Sequence, residues 1–337
     1  MRRAPPGAAL AVVFLSACAA PDAPPAPGPV IDMHLHALAA DAQGPPPLAL
    51  CPGEPAFPAW DPARPWPEVF MAHAKHPPCD DPVRSPTTDD ALRDATLAAL
   101  EANHVVAAVT SGDPELVRQY LERAPDRIIP GLMFGASMLG TLSPDTMRRW
   151  FEEGRYRVLS EVTLQYGGVR PDDPAFEPYL AVAEELDVPV GIHIGPGPPG
   201  AHYLGFDGYR ARLHSPLVLE EALVRHPRLR VYVMHAGWPM LDDMLTLLYA
   251  HPQVYVGTGV LQMATSRAEY YHYLRRLVEA GFGKRIMFGS DQMVWPGLIE
   301  EGIRAIREAP FLTGKQKRDI LHDNAARFLR LEEPAAG

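Results

Sequence analysis

The chain has no basic stripe. Its 31 basic residues include only four lysines, Lys75, Lys284, Lys315 and Lys317, and its formal charge is -10. A surface that grips a nucleic acid backbone needs clustered cations, so this balance argues against nucleic acid as a partner. Two nucleophile and nucleotide signatures are also missing. Without a G-x-S-x-G elbow or a phosphate-binding P-loop, serine hydrolase and nucleoside-triphosphatase readings have no support. The near match Gly195-Pro196-Gly197-Pro198-Pro199-Gly200 spells a dinucleotide loop, but its three prolines withhold backbone donors and no helix is expected at its end. It reads as a rigid loop beside His193. Apolar runs are short as well: the segment 8–16 is far too brief to span a bilayer. What the chain does have is 47% hydrophobic residues and a mean hydropathy of -0.11, the composition of a globular protein with a sizeable core.

The N-terminus is organised for export. Arg2 and Arg3 precede the apolar segment, and Leu15-Ser16-Ala17-Cys18 follows it and resembles the lipobox of bacterial lipoproteins. That resemblance implies a signal peptide over 1–17, removed before Cys18, with Cys18 carrying the lipid. A plain secretory signal cut near Ala20 is the alternative, and it leaves export intact. Residues 18–29, with PDAPPAPGP at their end, form a stiff proline-rich tether. The implied location is periplasmic or membrane-anchored in a bacterium, with the anchor as the one membrane contact. Of the three cysteines, Cys51 and Cys79 remain, both in one proline-rich stretch. A disulfide is the favoured reading in an exported protein; two free thiols or two metal ligands are the alternatives, and the spacing matches no zinc pattern.

From residue 87 the pattern alternates. Helices at 88–103, 114–123, 144–153, 175–186, 216–225, 239–249 and 266–280 each lead to an apolar run, at 104–110, 127–133, 157–164, 188–194, 229–235, 254–258 and 285–289. With the run at 30–36 these make eight predicted strands, and helices at 298–308 and 315–329 follow. Continuous apolar runs joined by helices indicate buried parallel strands. Eight units in one domain over 30–331 predict an α/β fold, a (β/α)8 TIM barrel, ahead of an open doubly wound sheet. The stretch 37–86 is a long insertion after the first strand, rich in proline and without a secondary-structure pattern, read as a lid.

The chemistry gathers at predicted strand ends. Val30-Ile31-Asp32-Met33-His34-Leu35-His36 places His34 and His36 on one face of a strand, where two imidazoles can share a metal. Gly191-Ile192-His193-Ile194-Gly195, Val233-Met234-His235-Ala236-Gly237 and Phe288-Gly289-Ser290-Asp291 add one group each, and Glu161 lies inside the apolar fourth strand. Singly, each has a dull explanation, such as a hydrogen-bonded core histidine, a helix-capping aspartate or a neutralised carboxyl. Together they fall on the carboxyl rim of the barrel, where sites form in this fold.

As a set, in this order, VIDMHLH, GIHIG, VMHAG and FGSD resemble the amidohydrolase superfamily, on the branch that includes the aminocarboxymuconate-semialdehyde-decarboxylase-like enzymes. The resemblance runs over about 30–331. It implies that His34, His36, His193 and Asp291 bind a divalent metal, usually zinc, with Asp291 orienting water and accepting its proton. His235 would bind a second metal or act as an acid/base group. Many two-metal relatives use a carboxylated lysine on strand four, but none of the four lysines here falls at a strand end. Glu161 is then the possible bridge, or a group behind the ligands, and one ion and two ions stay open.

The substrate is expected to be a small molecule. Tyr203, Arg210 and Trp238 are candidates for binding it, while His202, Arg212, Trp295 and Tyr166 stand near the rim with ordinary packing or surface roles as the alternative. His73, His76, His104, His214, His226, His251, His272 and His322 receive no catalytic role. The expected reaction is hydrolysis of a C–N or C–O bond in an amide, cyclic amide, lactone or ester. A metal-dependent decarboxylase on the same site is the first rival, and a non-catalytic metal-binding surface lipoprotein the second. No residue excludes phosphoester hydrolysis.

Overall fold

Eight apolar runs lie side by side as parallel strands in the computed structural model, which describes residues 28–195 and 197–331. The export segment, Cys18 and most of the tether lie outside the described residues. The strands are β1 (Val30–Ala37), β2 (Val105–Gly112), β3 (Ile128–Gly135), β4 (Val158–Thr163), β5 (Val190–His193), β6 (Val231–Met234), β7 (Val254–Gly257) and β8 (Ile286–Met287). Each pairs with its successor, and the Met33 amide donates to the Phe288 carbonyl at 3.0 Å, which returns β8 to β1. The result is a (β/α)8 barrel. Its connecting helices begin on side chains that accept first-turn amides: Thr88, Asp113, Ser143 and Ser266.

Inside the ring, the pairing of β1 with β2 slips between Asp32 and Leu35. A slip of that kind changes which residues face inward. Ile31 and Met33 therefore pack in the lower interior with Tyr232, Met234 and Met287, while His34 and His36 join the site above. Tyr232 crosses the lower barrel: its hydroxyl lies 2.8 Å from Ser160 Oγ on β4 and donates to the Met33 carbonyl on β1 at 3.1 Å. Gly191 on β5 makes room for it, since a Cβ there would stand 2.4 Å from the Tyr232 ring. Gly191→Ala should therefore overpack the interior and cost about 1–3 kcal/mol. A thermal midpoint equal to that of the parent protein would show that Tyr232 does not depend on this space.

The insertion differs from its sequence reading. It carries a helix, Trp66–Lys75, and a short antiparallel ribbon of Ala49–Leu50 with Val83–Arg84, and Cys51 is bonded to Cys79. Pro65, Trp66 and Pro67 start the helix, because proline suits a first turn whose amides have no partner. On one side the insertion joins a buried apolar cluster with Met263, Val294, Trp295 and Leu298 from the segments after β7 and β8. On the other, the Trp66 indole donates to the Pro199 carbonyl after β5 at 2.9 Å. Gly200, at φ +70°, admits the indole where a Cβ would be 2.3 Å from its nitrogen. Because β5 stands opposite β1 in a ring of eight, these contacts carry the insertion across the barrel mouth. Two helices also depart from expectation. The segment 216–225 starts as a 3-10 turn, Pro216–Leu219, before Glu220–Arg225, and 315–329 divides into Gly314–Arg318, Asp319–Asp323 and Asn324–Leu329.

Candidate metal centre

Four strand ends and the turn after β8 deliver six buried side chains to one place: His34, His36, Glu161, His193, His235 and Asp291. They are between 3% and 6% exposed. Three overlapping triads, His34–His36–Glu161, His34–His235–Asp291 and Glu161–His193–His235, have their ligand atoms within 4.8 Å of one another. The Glu161 carboxylate divides between two pairs of histidines. Oε2 lies 3.7 Å from both His34 Nε2 and His36 Nε2, while Oε1 lies 2.7 Å from His193 Nδ1 and 3.2 Å from His235 Nε2. Asp291 Oδ1 stands 3.1 Å from His36 Nε2 and 3.6 Å from His34 Nε2.

The backbone assigns the ring protons of two histidines. A carbonyl only accepts, so the 3.1 Å contact of His193 Nε2 with the Gly195 carbonyl and the 3.2 Å contact of His235 Nδ1 with the Gly259 carbonyl place protons on those nitrogens. The opposite nitrogens, His193 Nδ1 and His235 Nε2, then present lone pairs 2.8 Å apart, with Glu161 Oε1 beside them. Three acceptors in contact require a proton or a metal between them. The second half repeats the pattern, with His34 Nε2 and His36 Nε2 3.0 Å apart and Asp291 Oδ1 3.1 Å from His36 Nε2. An imidazole and carboxylate set of this kind fits a divalent transition ion such as zinc.

Without an ion, protons fill that role, and the ionisation of the cluster reflects it. Burial drives Asp291 up, but the His34 charge and the hydrogen bond from His36 prevail and bring it down to about 2. Burial likewise opposes ionisation of Glu161, and the His34 charge with the hydrogen bonds from His193 and His235 carries it well below the carboxylate range. His36 and His235 are raised: burial lowers both, and their contacts with Asp291 and Glu161 outweigh it. His193 moves down, through burial and then the His235 charge.

A polar clasp fixes β1 against the turn after β8. The Asp32 carboxylate accepts the amides of His34 and Ser290 at 2.9 Å each, the Gln292 side chain bonds both the amide and the carbonyl of His36, and the Asp291 amide donates to the His34 carbonyl at 2.8 Å. These bonds set Asp291 over the two histidines. The backbone at the rim is itself unusual. His235, Ala236, Val260, Asp291 and Met293 all have φ between 45° and 70°, a region that costs non-glycine residues energy and that concentrates at functional sites.

The three substrate-binding candidates have partners other than the cluster. The Arg210 guanidinium donates to the Asp207 and Tyr209 carbonyls, the Trp238 indole donates to Glu269, and Tyr203 is 54% exposed and packs on Trp60. His214, set aside in the sequence, belongs instead beside the site. Fully buried, its ring lies 5.5 Å from that of His193, with Tyr209 at 4.7 Å and Tyr166 at 6.0 Å. Burial, then the His193 charge, pushes its imidazole down to about 3. The signal that might have found it is weak: a histidine immediately before Ser215-Pro216, in the loop after a ligand-bearing strand.

No curated protein matches the chain in sequence. Among solved structures, the chain is similar to 2,6-dihydroxybenzoate decarboxylase from Rhizobium, at 13% identity and a TM-score of 0.55, covering 90% of this chain and 99% of that one. It is similar to the probable 2-pyrone-4,6-dicarboxylic acid hydrolase of Acinetobacter baumannii, crystallised with citric acid, at 14% identity and 0.55, covering 89% and 99%. A variant of 5-carboxyvanillate decarboxylase from Novosphingobium aromaticivorans, with bound manganese, matches at 15% identity and 0.51 over 70% of this chain and 80% of its own. At such identities the likeness is one of fold. The model of the amidohydrolase family, a group of metal-dependent enzymes, matches residues 31–331, almost the whole of the described barrel, and this chain therefore belongs to that family.

Proposed function

We propose that the protein is a metal-dependent hydrolase that cleaves a C–N or C–O bond in an amide, cyclic amide, lactone or ester of a small molecule. The observation that carries this reading is the division of Glu161 between two pairs of imidazoles, which favours two ions over one. His34, His36, Asp291 and Glu161 Oε2 would hold the first; Glu161 Oε1, His193 and His235 the second. The donor set favours zinc. A divalent ion bound there supplies Lewis acidity, acidifying water and polarising a carbonyl. The chain's own groups do the rest. Asp291 Oδ2, 3.6 Å from His235 Nδ1, is placed to accept the proton of the attacking water. The insertion and the low exposure of the ligands keep bulk water from the reacting bond.

The decarboxylase reading asks for a cation to clamp a substrate carboxylate. Among the described residues, the hydrogen bonds, ion pairs and ring contacts of the six ligands involve no lysine or arginine. That favours hydrolysis. Metal analysis of the purified protein, with a turnover screen over esters, lactones and amides and a parallel assay for released carbon dioxide, tests the proposal. Two ions per chain and hydrolysis are expected; carbon dioxide from an aromatic acid, or no bound metal, would sink it. We also propose export and lipid anchoring at Cys18. Mass spectrometry of the cell-derived protein should find an acylated N-terminal Cys18, and an unmodified N-terminus near residue 21 would refute the anchor.

A further inference from the structure

No stretch of the sequence is basic, but the fold collects cations on one face, the base of the barrel at the amino ends of its strands. The segments that lead from each helix into the next strand are 103–104, 124–127, 153–157, 186–189, 226–230, 251–253 and 278–285, and the turn 324–331 packs beneath the ring through Phe328 on Tyr232. Together they hold nine of the chain's 31 basic residues and only four of its 41 acidic ones. The segments at the mouth, from each strand to the next barrel helix, hold eleven acidic residues and six basic ones. In a chain of formal charge -10, the base is therefore positive and the mouth negative.

Much of the positive charge has no carboxylate beside it. Arg127 and Arg157, each immediately before a strand, form no side-chain hydrogen bond or ion pair among the described residues. Arg285 and Arg327 donate to backbone carbonyls, and Arg155 lies 4.8 Å from the Trp150 ring centroid. Arg230 and Arg330 share the single carboxylate of Asp187. Against these stand Asp126, Glu279 and Glu101, unpaired among the described residues, while the other carboxylates of the last helical turns are taken by Arg118, Arg148 and His226. The same face carries apolar surface. Tyr249 is 87% exposed and Val224 66% exposed, in the last turns of Leu241–Ala250 and Glu220–Arg225. A cavity of about 310 Å³ sets Arg157 and Arg230 among Phe151, Leu186, Leu329 and Leu331. Cations interleaved with apolar groups suit an anion that carries hydrocarbon, whereas a nucleic acid backbone asks for cations alone.

We infer that the base of the barrel is a docking surface for an anionic phospholipid bilayer. Its guanidiniums meet lipid phosphates, Tyr249 and Val224 enter the headgroup layer, and the metal centre at the opposite end faces away from the membrane. The chain itself brings this face to the lipid. Gly28 and Pro29 enter the fold at the base, where the Val30 amide donates to the His104 carbonyl at 3.0 Å. Val30 is twelve residues beyond Cys18, a reach of at most about 40 Å. The choice of a bilayer as partner rests on the proposed anchor at Cys18, to which the face adds a second membrane contact.

The test uses the mature chain with Cys18→Ser, so that no lipid is attached, sedimented with vesicles of phosphatidylcholine or of its equimolar mixture with phosphatidylglycerol. The mixture should bind at least about tenfold more tightly, since each cation close to an anionic bilayer is worth about fivefold. That preference should vanish between about 0.1 and 1 M salt, as the screening length falls from about 10 to 3 Å. Arg127→Glu with Arg157→Glu should abolish it, and Arg127→Lys with Arg157→Lys should keep affinity within about threefold. Arg64→Glu with Arg84→Glu, the same change in net charge placed at the mouth, should leave the preference intact. Tyr249→Ser should weaken binding to the mixture at least about threefold, the loss of an amphipathic ring from the interface. Thermal midpoints and metal content should match the parent in the lysine pair and in Tyr249→Ser, which keeps the test independent of whether the reversed pair folds. Equal binding to both vesicles would overturn the inference. So would a mouth pair that weakens binding as much as the base pair, which would make net charge the cause. A Tyr249→Ser protein that binds like the parent would overturn it in favour of a general polyanion site. An acylated Cys18 in the cell-derived protein with no vesicle preference would leave the anchor standing and sink the docking surface, and an unmodified N-terminus with the preference intact would do the reverse.

Discussion

Glu161→Gln should lower the bound metal by at least one ion per chain and lower turnover at least about a hundredfold, the upper range for losing a group that only supports a ligand. The reason lies in the two carboxylate oxygens. Oε1 faces the His193 and His235 nitrogens at 2.7 and 3.2 Å, and Oε2 faces those of His34 and His36 at 3.7 Å. An amide keeps one oxygen acceptor and turns an N–H donor toward the other pair. Whichever pair receives the N–H group loses an anionic ligand and gains a group that competes for its lone pairs. The fold should survive, because the lower barrel around Tyr232 and the Asp32 and Gln292 clasp do not use Glu161. Metal content per chain, turnover on the best substrate from the screen, and circular dichroism check this together. A variant with its full metal complement and parent-like turnover would remove Glu161 from the site.

The ring was legible in the sequence because buried parallel strands need apolar residues on both faces, and the runs around Val190, Val231 and Val254 supply them. The grouping of the six candidate ligands was legible for a related reason: a histidine or carboxylate at the end of such a run has no cheap explanation, and the fold puts every run's end at one rim. His214 was not legible. It reaches the site from a 3-10 turn, Ala211–His214, where no periodicity states which way a side chain faces. Arg210 stands in the same loop region, and charge shows what a side chain could bind but not that loop carbonyls will take the donors of its Nη1. The insertion's helix was hidden by proline content, although Pro65-Trp66-Pro67 is itself a helix-start signal. Strand ends are fixed by the sheet; loop residues are fixed by contacts that the local sequence does not encode.

That difference bears on how the parts respond to change. Four of the six candidate ligands sit on strands whose positions the whole barrel determines, and His235 and Asp291 follow β6 and β8 closely, so substitutions there should alter metal and chemistry with little loss of fold. The insertion is held by Trp66, by its apolar contacts with Met263 and Trp295, and by the 28-residue separation closed between Cys51 and Cys79. It can be changed without moving the strands that carry the candidate ligands.

The stability of the protein should depend on pH in opposite ways with and without metal. In the metal-free state, the raised His36 and His235 contribute stability that is complete below their ordinary value of 6.5 and is lost as pH rises through their higher folded values. The depressed carboxylates contribute stability present above 3.8 for Asp291 and 4.5 for Glu161, lost for Asp291 as pH falls toward about 2. His193, lowered in the fold, opposes the other two histidines. The cluster is thus most favourable to the metal-free fold between the ordinary carboxylate values, 3.8 and 4.5, and the ordinary histidine value of 6.5. Metal binding needs every ligand imidazole unprotonated at its ligand nitrogen, so below the raised histidine values it must displace protons that the cluster holds firmly. The thermal midpoint of zinc-loaded protein should exceed that of chelator-treated protein by about 10 °C at pH 8 with zinc near a thousandfold above its dissociation constant. At pH 5 the same comparison should shrink to a few degrees, because protons and zinc compete for His36 and His235. Scanning calorimetry of both forms at the two pH values measures it, and a gap that does not change with pH would mean that these imidazoles do not bind the ion.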